Sequence, residues 1–282
     1  MAIRVRYITD PACSASWAAE PKLRRLQVEF DGELDWTWVM GGLARDWAGT
    51  PGAPEKLVKT WLGHAGESGM PFDPRLWTEA PLASSYPACM AVKAATEQGT
   101  QATGRYLRAL RTGLMCLRRK LDTTEPLAEE ARGAGLDIER FRSDLGSHAI
   151  VEAFGADLEE ARSVPEAARA DDAVKESASG ADRVVFPAVS FEGPGGELSW
   201  VFGDASYEEW KTAATKAGAV ANGGSAPGVL EALGRFGQMA GAEVEAVCGL
   251  PEVRAQAELW ALASEWKVKP TRVLTGDLWE LA

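Results

Sequence analysis

Hydrophobic and polar positions change their period several times along this chain. Ile3, Val5 and Tyr7 alternate with Arg4 and Arg6, the signature of a short strand over residues 3–9. Asp10 and Pro11 close it. Residues 13–16, Cys13-Ser14-Ala15-Ser16, then lead into a helical pattern from about Trp17 to Phe30, with Leu23, Leu26 and Phe30 spaced by three and four. Pro21 falls in the first turns, where a missing N–H is tolerated. A second alternating run, Leu34 to Val39, ends at Gly41-Gly42. Strand, helix and strand in this order predict a parallel crossover, with Cys13 at the carboxyl end of the first strand.

From about Ala44 to Ser163 the alternation disappears and helical periodicity takes over. One helix begins near Tyr86 and carries Ala91-Val92-Lys93-Ala94-Ala95; Tyr106, Leu107, Leu110, Leu114 and Leu117 mark the apolar face of another. Residues 135–156 supply one or two more. Residues 164–182, rich in Ala, Asp, Glu and Ser, read as a solvated helix or acidic connector. Strand character returns at Arg183 to Phe191, and Gly193-Pro194-Gly195-Gly196 joins it to Leu198 to Phe202 as a hairpin. A helix from Tyr207 to Ala217 follows. Beyond a Gly-rich break at 219–225 come helical patterns at Val229–Phe236, Ala242–Val247 and Val253–Trp266. A ribbon then spans Lys267–Leu281 and turns at Thr275-Gly276-Asp277. That order is the order of a winged helix. The expected division is therefore a mixed α/β core from 1–43 and 183–220, a helical insertion with its connector at 44–182, and a winged-helix-like α+β module at 226–282.

Charge narrows the function classes. The 282 residues carry a formal net charge of -11, so the overall field repels nucleic-acid phosphates and anionic lipid. The C-terminal module is itself acidic, which points it toward protein contact or homodimerisation and away from DNA. No apolar run is long enough to span a bilayer, and the chain enters a strand directly, so a cytoplasmic location is expected. Cys13, Cys89, Cys116 and Cys248 form no close pair, as in a reduced protein. His64 and His148 stand far apart without the spacing of a metal site, and no metal is expected.

The chemistry concentrates at Cys13. A cysteine at the first turn of a helix that follows a strand is favoured as a thiolate, because free N–H groups and the helix dipole stabilise negative charge there. Ser16 stands three residues on, where a second thiol would resolve a mixed disulfide, and a hydroxyl cannot do that. Pro187 after Phe186, inside a β segment, marks a bend that suits a cis-proline facing Cys13. The other three cysteines lie among apolar helix residues and read as core.

These segments resemble a known family. Asp10 to Trp17, Glu20-Pro21 and Val39 to Leu43 resemble the DsbA-like branch of the thioredoxin superfamily. Ser84 to Cys89, Ala91 to Ala95, Glu97 to Gly99, Gly135 to Asp137, Phe141 and Asp144-Leu145 resemble the helical insert of FrnE-like oxidoreductases and of adaptor proteins for the ClpXP protease. The resemblance covers about residues 3–218. It implies a thioredoxin-like fold with a helical lid over a thiol site. Cys13, Ser16 and Pro187 occupy the motif positions, and Trp17 and Phe186 are placed to line a partner groove. Ser16 departs from the dithiol pattern. Two functions follow. One is thiol-disulfide or monothiol exchange through Cys13, with a protein or thiol partner and a co-substrate such as glutathione; the other is a redox-silent adaptor for protein clients.

Overall fold

The computed structural model describes residues 2–47, 49, 52–176 and 180–282. The chain opens with β1 (Ile3–Thr9), α1 (Ser14–Ala18), α2 (Glu20–Glu29) and β2 (Leu34–Met40). The expected single helix is broken at Ala19: Pro21 has no N–H to donate, so the first turn stops and α2 begins afresh with the proline in its own first turn. β1 runs parallel to β2, Ile3 opposite Leu34 and Thr9 opposite Met40.

Helices α3 (Ala53–Ser68), α4 (Leu76–Glu79), α5 (Tyr86–Thr96), α6 (Thr100–Met115), α7 (Thr124–Gly133), α8 (Ile138–Leu145) and α9 (His148–Arg162) form the inserted block. Its amphipathic faces share one core with the sheet: Tyr106, Leu110 and Leu114 of α6 are buried together with Val5 and Tyr7 of β1. The stretch read as a solvated connector holds more structure than its composition suggested. It contains α10 (Glu166–Ala170) and β3 (Val174–Glu176), which pairs antiparallel with β4 (Asp182–Val184). The strand expected from Arg183 to Phe191 is accordingly two strands, with β5 (Ala188–Glu192) starting only after Pro187.

β5 runs antiparallel to β1, Ile8 opposite Ala188, and β6 (Leu198–Phe202) pairs with β5, giving the order β2-β1-β5-β6. α11 (Tyr207–Lys216) follows, started by a capping box between Ser206 and Glu209.

The C-terminal segment contains α12 (Val229–Phe236), β7 (Met239–Ala240), α13 (Gly241–Cys248), α14 (Glu252–Ser264) and the hairpin β8 (Val268–Val273) and β9 (Gly276–Leu281). β9 lies between β7 and β8 in a three-stranded antiparallel sheet. Val229, Leu233, Val244, Leu259 and Trp279 form a second core there. A buried ionic cluster joins this segment to the rest. Glu243 of α13 meets Arg24 of α2 at 2.5 Å and accepts two hydrogen bonds from Arg108 of α6, both at 2.8 Å. Glu20 pairs with Arg108 at 3.2 Å and with Arg111 at 2.5 Å. Burial alone would raise the Glu20 pKa; the surrounding arginines outweigh it and hold the carboxylate below its ordinary range.

Candidate functional site

The carboxyl end of β1 is fastened by Asp10. Its buried carboxylate accepts the N–H groups of Ala12 (2.8 Å) and Leu43 (2.6 Å), the Ser85 hydroxyl (2.7 Å) and the Cys89 thiol (3.2 Å). Burial pushes the Asp10 pKa up, against the pull of these donors. The four contacts tie the turn before Cys13 to the segment after β2 and to the start of α5. The site thus sits where sheet and insertion meet.

Cys13 caps α1 in an extended conformation (φ -79°, ψ 108°), and its sulfur accepts the Ser16 N–H at 3.4 Å. Only 5% of the residue is exposed. Ser16 is fully buried and its hydroxyl is engaged elsewhere: Thr9 Oγ1 donates to it at 2.8 Å and in turn accepts from Arg111 Nη2 at 2.5 Å. The position of a resolving thiol is therefore wired, through Thr9 and Arg111, to Glu20 in the ionic cluster.

The Phe186–Pro187 peptide is cis. Cys13 shares a buried cluster with Ile8, Val39, Phe186 and Ala188, so both chain neighbours of Pro187 pack in the cysteine's own core. Ala161 of α9, Ala168 of α10, Ala173 and Val184 close the same cluster from above. The Phe186 ring lies directly against Gly41: a Cβ there would come within 2.0 Å of the ring. Glycine is required at that point by contact alone.

Trp17, expected to line a groove, is buried completely. Its indole N–H donates to the Pro71 carbonyl at 2.9 Å and the Arg108 guanidinium lies 4.2 Å from its ring centroid. It belongs to the core beneath the ionic cluster and offers no surface to a partner. Phe186 is also buried, between Gly41 and Arg183, so its ring is part of the site's floor and not an exposed contact.

Two residues that the sequence did not assign to the thiol site enter it. Arg183 of β4 is 8% exposed and its guanidinium lies 4.2 Å from the Phe186 ring centroid. Nη1 donates to the Val184 carbonyl at 2.8 Å; Nε is buried without a hydrogen-bond partner, and no carboxylate of the described residues pairs with the group. Burial lowers the Arg183 pKa, opposed by negative charge at Cys13 and at Asp10. His64 of α3 places Nδ1 3.0 Å from the hydroxyl of Ser14, next to Cys13. Partial burial lowers its pKa, against the pull of Glu67 and Asp204. An arginine at the edge of an apolar run was the only sequence signal for Arg183; nothing in the spacing signalled His64.

The remaining thiols are structural. Burial pushes Cys89 and Cys116 far up and Cys248 to about 11, and Cys116 donates to the Pro71 carbonyl at 3.2 Å. Among the described residues no cluster of three or more His, Cys, Asp or Glu side chains could hold a metal ion, and no helix is long and apolar enough to cross a membrane.

Comparison with known proteins sharpens this geometry. The ClpXP adapter protein SpxH of Halalkalibacterium halodurans is 34% identical over 163 residues, 56% of this chain and 53% of that protein. SpxH of Bacillus subtilis is 29% identical over 158 residues, 55% and 52% of the two chains. The chain thus spans about half the length of the curated relatives it matches. Among solved structures, a protein described as a disulfide isomerase from Nitrosomonas europaea superposes with a TM-score of 0.61 at 17% identity, covering 75% of this chain and 95% of that one. The cytosolic disulfide reductase DsbM of Pseudomonas aeruginosa gives 0.53 at 20% identity over 70% and 88%. Both likenesses are of fold. A family model described as Thioredoxin matches residues 7–165, more than half of the chain. The chain therefore belongs to the thioredoxin family.

Proposed function

We propose that this protein is a monothiol exchange protein acting through Cys13. The Cys13 thiolate attacks one sulfur of a partner disulfide, forming a Cys13–partner disulfide and releasing the other partner sulfur as a thiolate. Ser16 cannot complete the cycle. A second thiol from outside, protein-borne or a small thiol such as glutathione, attacks the mixed disulfide and returns Cys13 to its thiolate. The observation that carries this reading is the placement of Cys13: its sulfur caps α1 and accepts the Ser16 N–H, and Arg183, which has no carboxylate partner among the described residues, lies over the Phe186 ring of the same buried cluster. Pro187 supplies the neighbouring backbone and Phe186 the apolar floor. Four free cysteines are in keeping with a reducing compartment such as the cytoplasm.

A redox-silent adaptor is the second reading, supported by the relatives named as ClpXP adapters and by the near-complete burial of Cys13. In that case the thioredoxin-like core, the helical insertion and the winged-helix-like segment from 226 act as one binding surface for a protein client. Val253, Trp260 and Trp266, exposed in and just after α14, support a contact role for the last of these, including contact with a second copy.

Alkylation of Cys13 separates the two. In a variant with Cys89, Cys116 and Cys248 replaced by alanine, the exchange reading expects fast iodoacetamide reaction at pH 7, slowed about tenfold by Arg183→Met and largely recovered in Arg183→Lys. Tenfold corresponds to about 1.4 kcal/mol of lost charge interaction. Slow reaction that ignores Arg183 would sink the exchange reading and leave the adaptor.

A further inference from the structure

β6 ends the sheet. β5 pairs with one of its edges, and no described strand covers the other, so a row of backbone N–H and C=O groups is left open for pairing. The strand's two faces differ. Ser199 and Val201 are buried, Ser199 donating to the Ala213 carbonyl of α11 at 2.8 Å. Trp200 and Phe202 are only half-buried, and their rings stack with centroids 5.5 Å apart and planes 7° from parallel. Leu198, at the strand's start, is exposed.

This open edge is the floor of a groove. α10 and the turn after it form one wall, and α11 forms the other. The walls carry Asp171 and Asp172 on the first side and Asp204, Glu208 and Glu209 on the second, all exposed, against one lysine among the described residues, Lys216. Asp204 pairs with Lys22 at 2.7 Å, whereas Asp171, Asp172 and Glu208 have no cation within ion-pair distance among the described residues. A groove with unpaired main-chain groups below, an aromatic pair on one side and uncompensated carboxylates on both walls suits one kind of occupant. At its far end, past Phe202, the Gly203 N–H donates to the Pro187 carbonyl at 2.7 Å, extending the pairing of β6 with β5 on the covered edge.

We infer that the groove takes an extended basic segment of a protein partner, laid along β6 as a fifth strand. Its main chain pairs with the open edge, an apolar side chain covers Trp200 and Phe202, and Lys or Arg side chains meet Asp171 and Asp172 on one wall and Glu208 on the other. The five residues of β6 match about five residues of the partner, roughly 17 Å of strand. The inference does not depend on the chemistry of Cys13.

The test uses the full chain carrying Cys13→Ser, so that no covalent capture contributes and either reading can fail alone. The probe is a fluorescein-labelled peptide of about nine residues with alternating lysine and valine. Two controls match it: one with glutamate for lysine, and one with two central prolines that cannot form a strand. Anisotropy should report saturable binding of the lysine peptide that weakens with salt, and at least tenfold weaker binding of both controls. The double variant Asp171→Lys with Glu208→Lys should lose at least tenfold. Hydrogen exchange of amides in residues 198–202 should slow when the peptide is added. Equal binding of the proline peptide, an unchanged double variant with native circular dichroism, or no binding of the lysine peptide would each overturn the inference.

Discussion

Neutralising Glu243 is the most demanding test of how the C-terminal segment is held. Glu243 is fully buried; it accepts two hydrogen bonds from Arg108 at 2.8 Å, touches Arg24 at 2.5 Å and caps its own helix through the Ala240 N–H at 2.6 Å. With charge centres roughly 4 Å apart and an effective permittivity near 20, each arginine contributes about 4 kcal/mol before desolvation. Glu243→Gln keeps the shape and removes the charge, so Arg24, Arg108 and Arg111 are left with Glu20 alone. Breaking a buried pair in this way costs about 3–5 kcal/mol, because the orphaned charge stays out of water. With a urea slope near 3 kcal/mol per molar, the unfolding midpoint should fall by about 1–1.7 M. The comparison is Glu265→Gln, whose partner Lys267 and own side chain are both more than half exposed, and which should leave the midpoint unchanged. A Glu243→Gln shift as small as that of Glu265→Gln would refute the assignment of the cluster as the clamp between α13 and the α2–α6 pair.

Three further outcomes are expected. Gly41→Ala drives a methyl group into the buried Phe186 ring, over which Arg183 lies, so stability should fall by about 1–3 kcal/mol in urea unfolding. Ser16→Cys places a thiol on the residue whose N–H already meets the Cys13 sulfur at 3.4 Å; mild oxidation should remove two hydrogens from the intact mass, and persistence of both free thiols would contradict the geometry. Glu20 is held below its ordinary pKa in the fold, so it contributes stability that is fully present above about pH 4.3 and is lost as the pH falls through the depressed value. The drop in urea midpoint between pH 6 and pH 3 should therefore be smaller in Glu20→Gln than in the native chain.

Much of the fold could be read from period alone. β1, β2 and β6 alternate because one face of each is turned away from solvent, and the Gly-Pro-Gly-Gly run at 193–196 marks the β5–β6 turn. β3 escaped because its residues are half-buried or exposed, so no apolar alternation records the pairing that holds it. Cys13 was legible because a strand-to-helix junction is a local pattern. Arg183 and His64 were not, since each reaches the site through contacts with residues far away in the chain. Trp17 shows the converse error: nearness in sequence to the motif does not say which way a side chain turns, and Pro71 and Arg108, from distant segments, decide it.

The hydroxyl of Ser16, fixed to Thr9, has a kinetic consequence for any covalent complex at Cys13. Where a second thiol is built in, release is unimolecular and every partner leaves at a rate the protein sets. Here release is bimolecular, and the dwell time of a bound partner scales inversely with the concentration of thiol in its surroundings. The protein would then act as a latch whose opening reports how reducing those surroundings are.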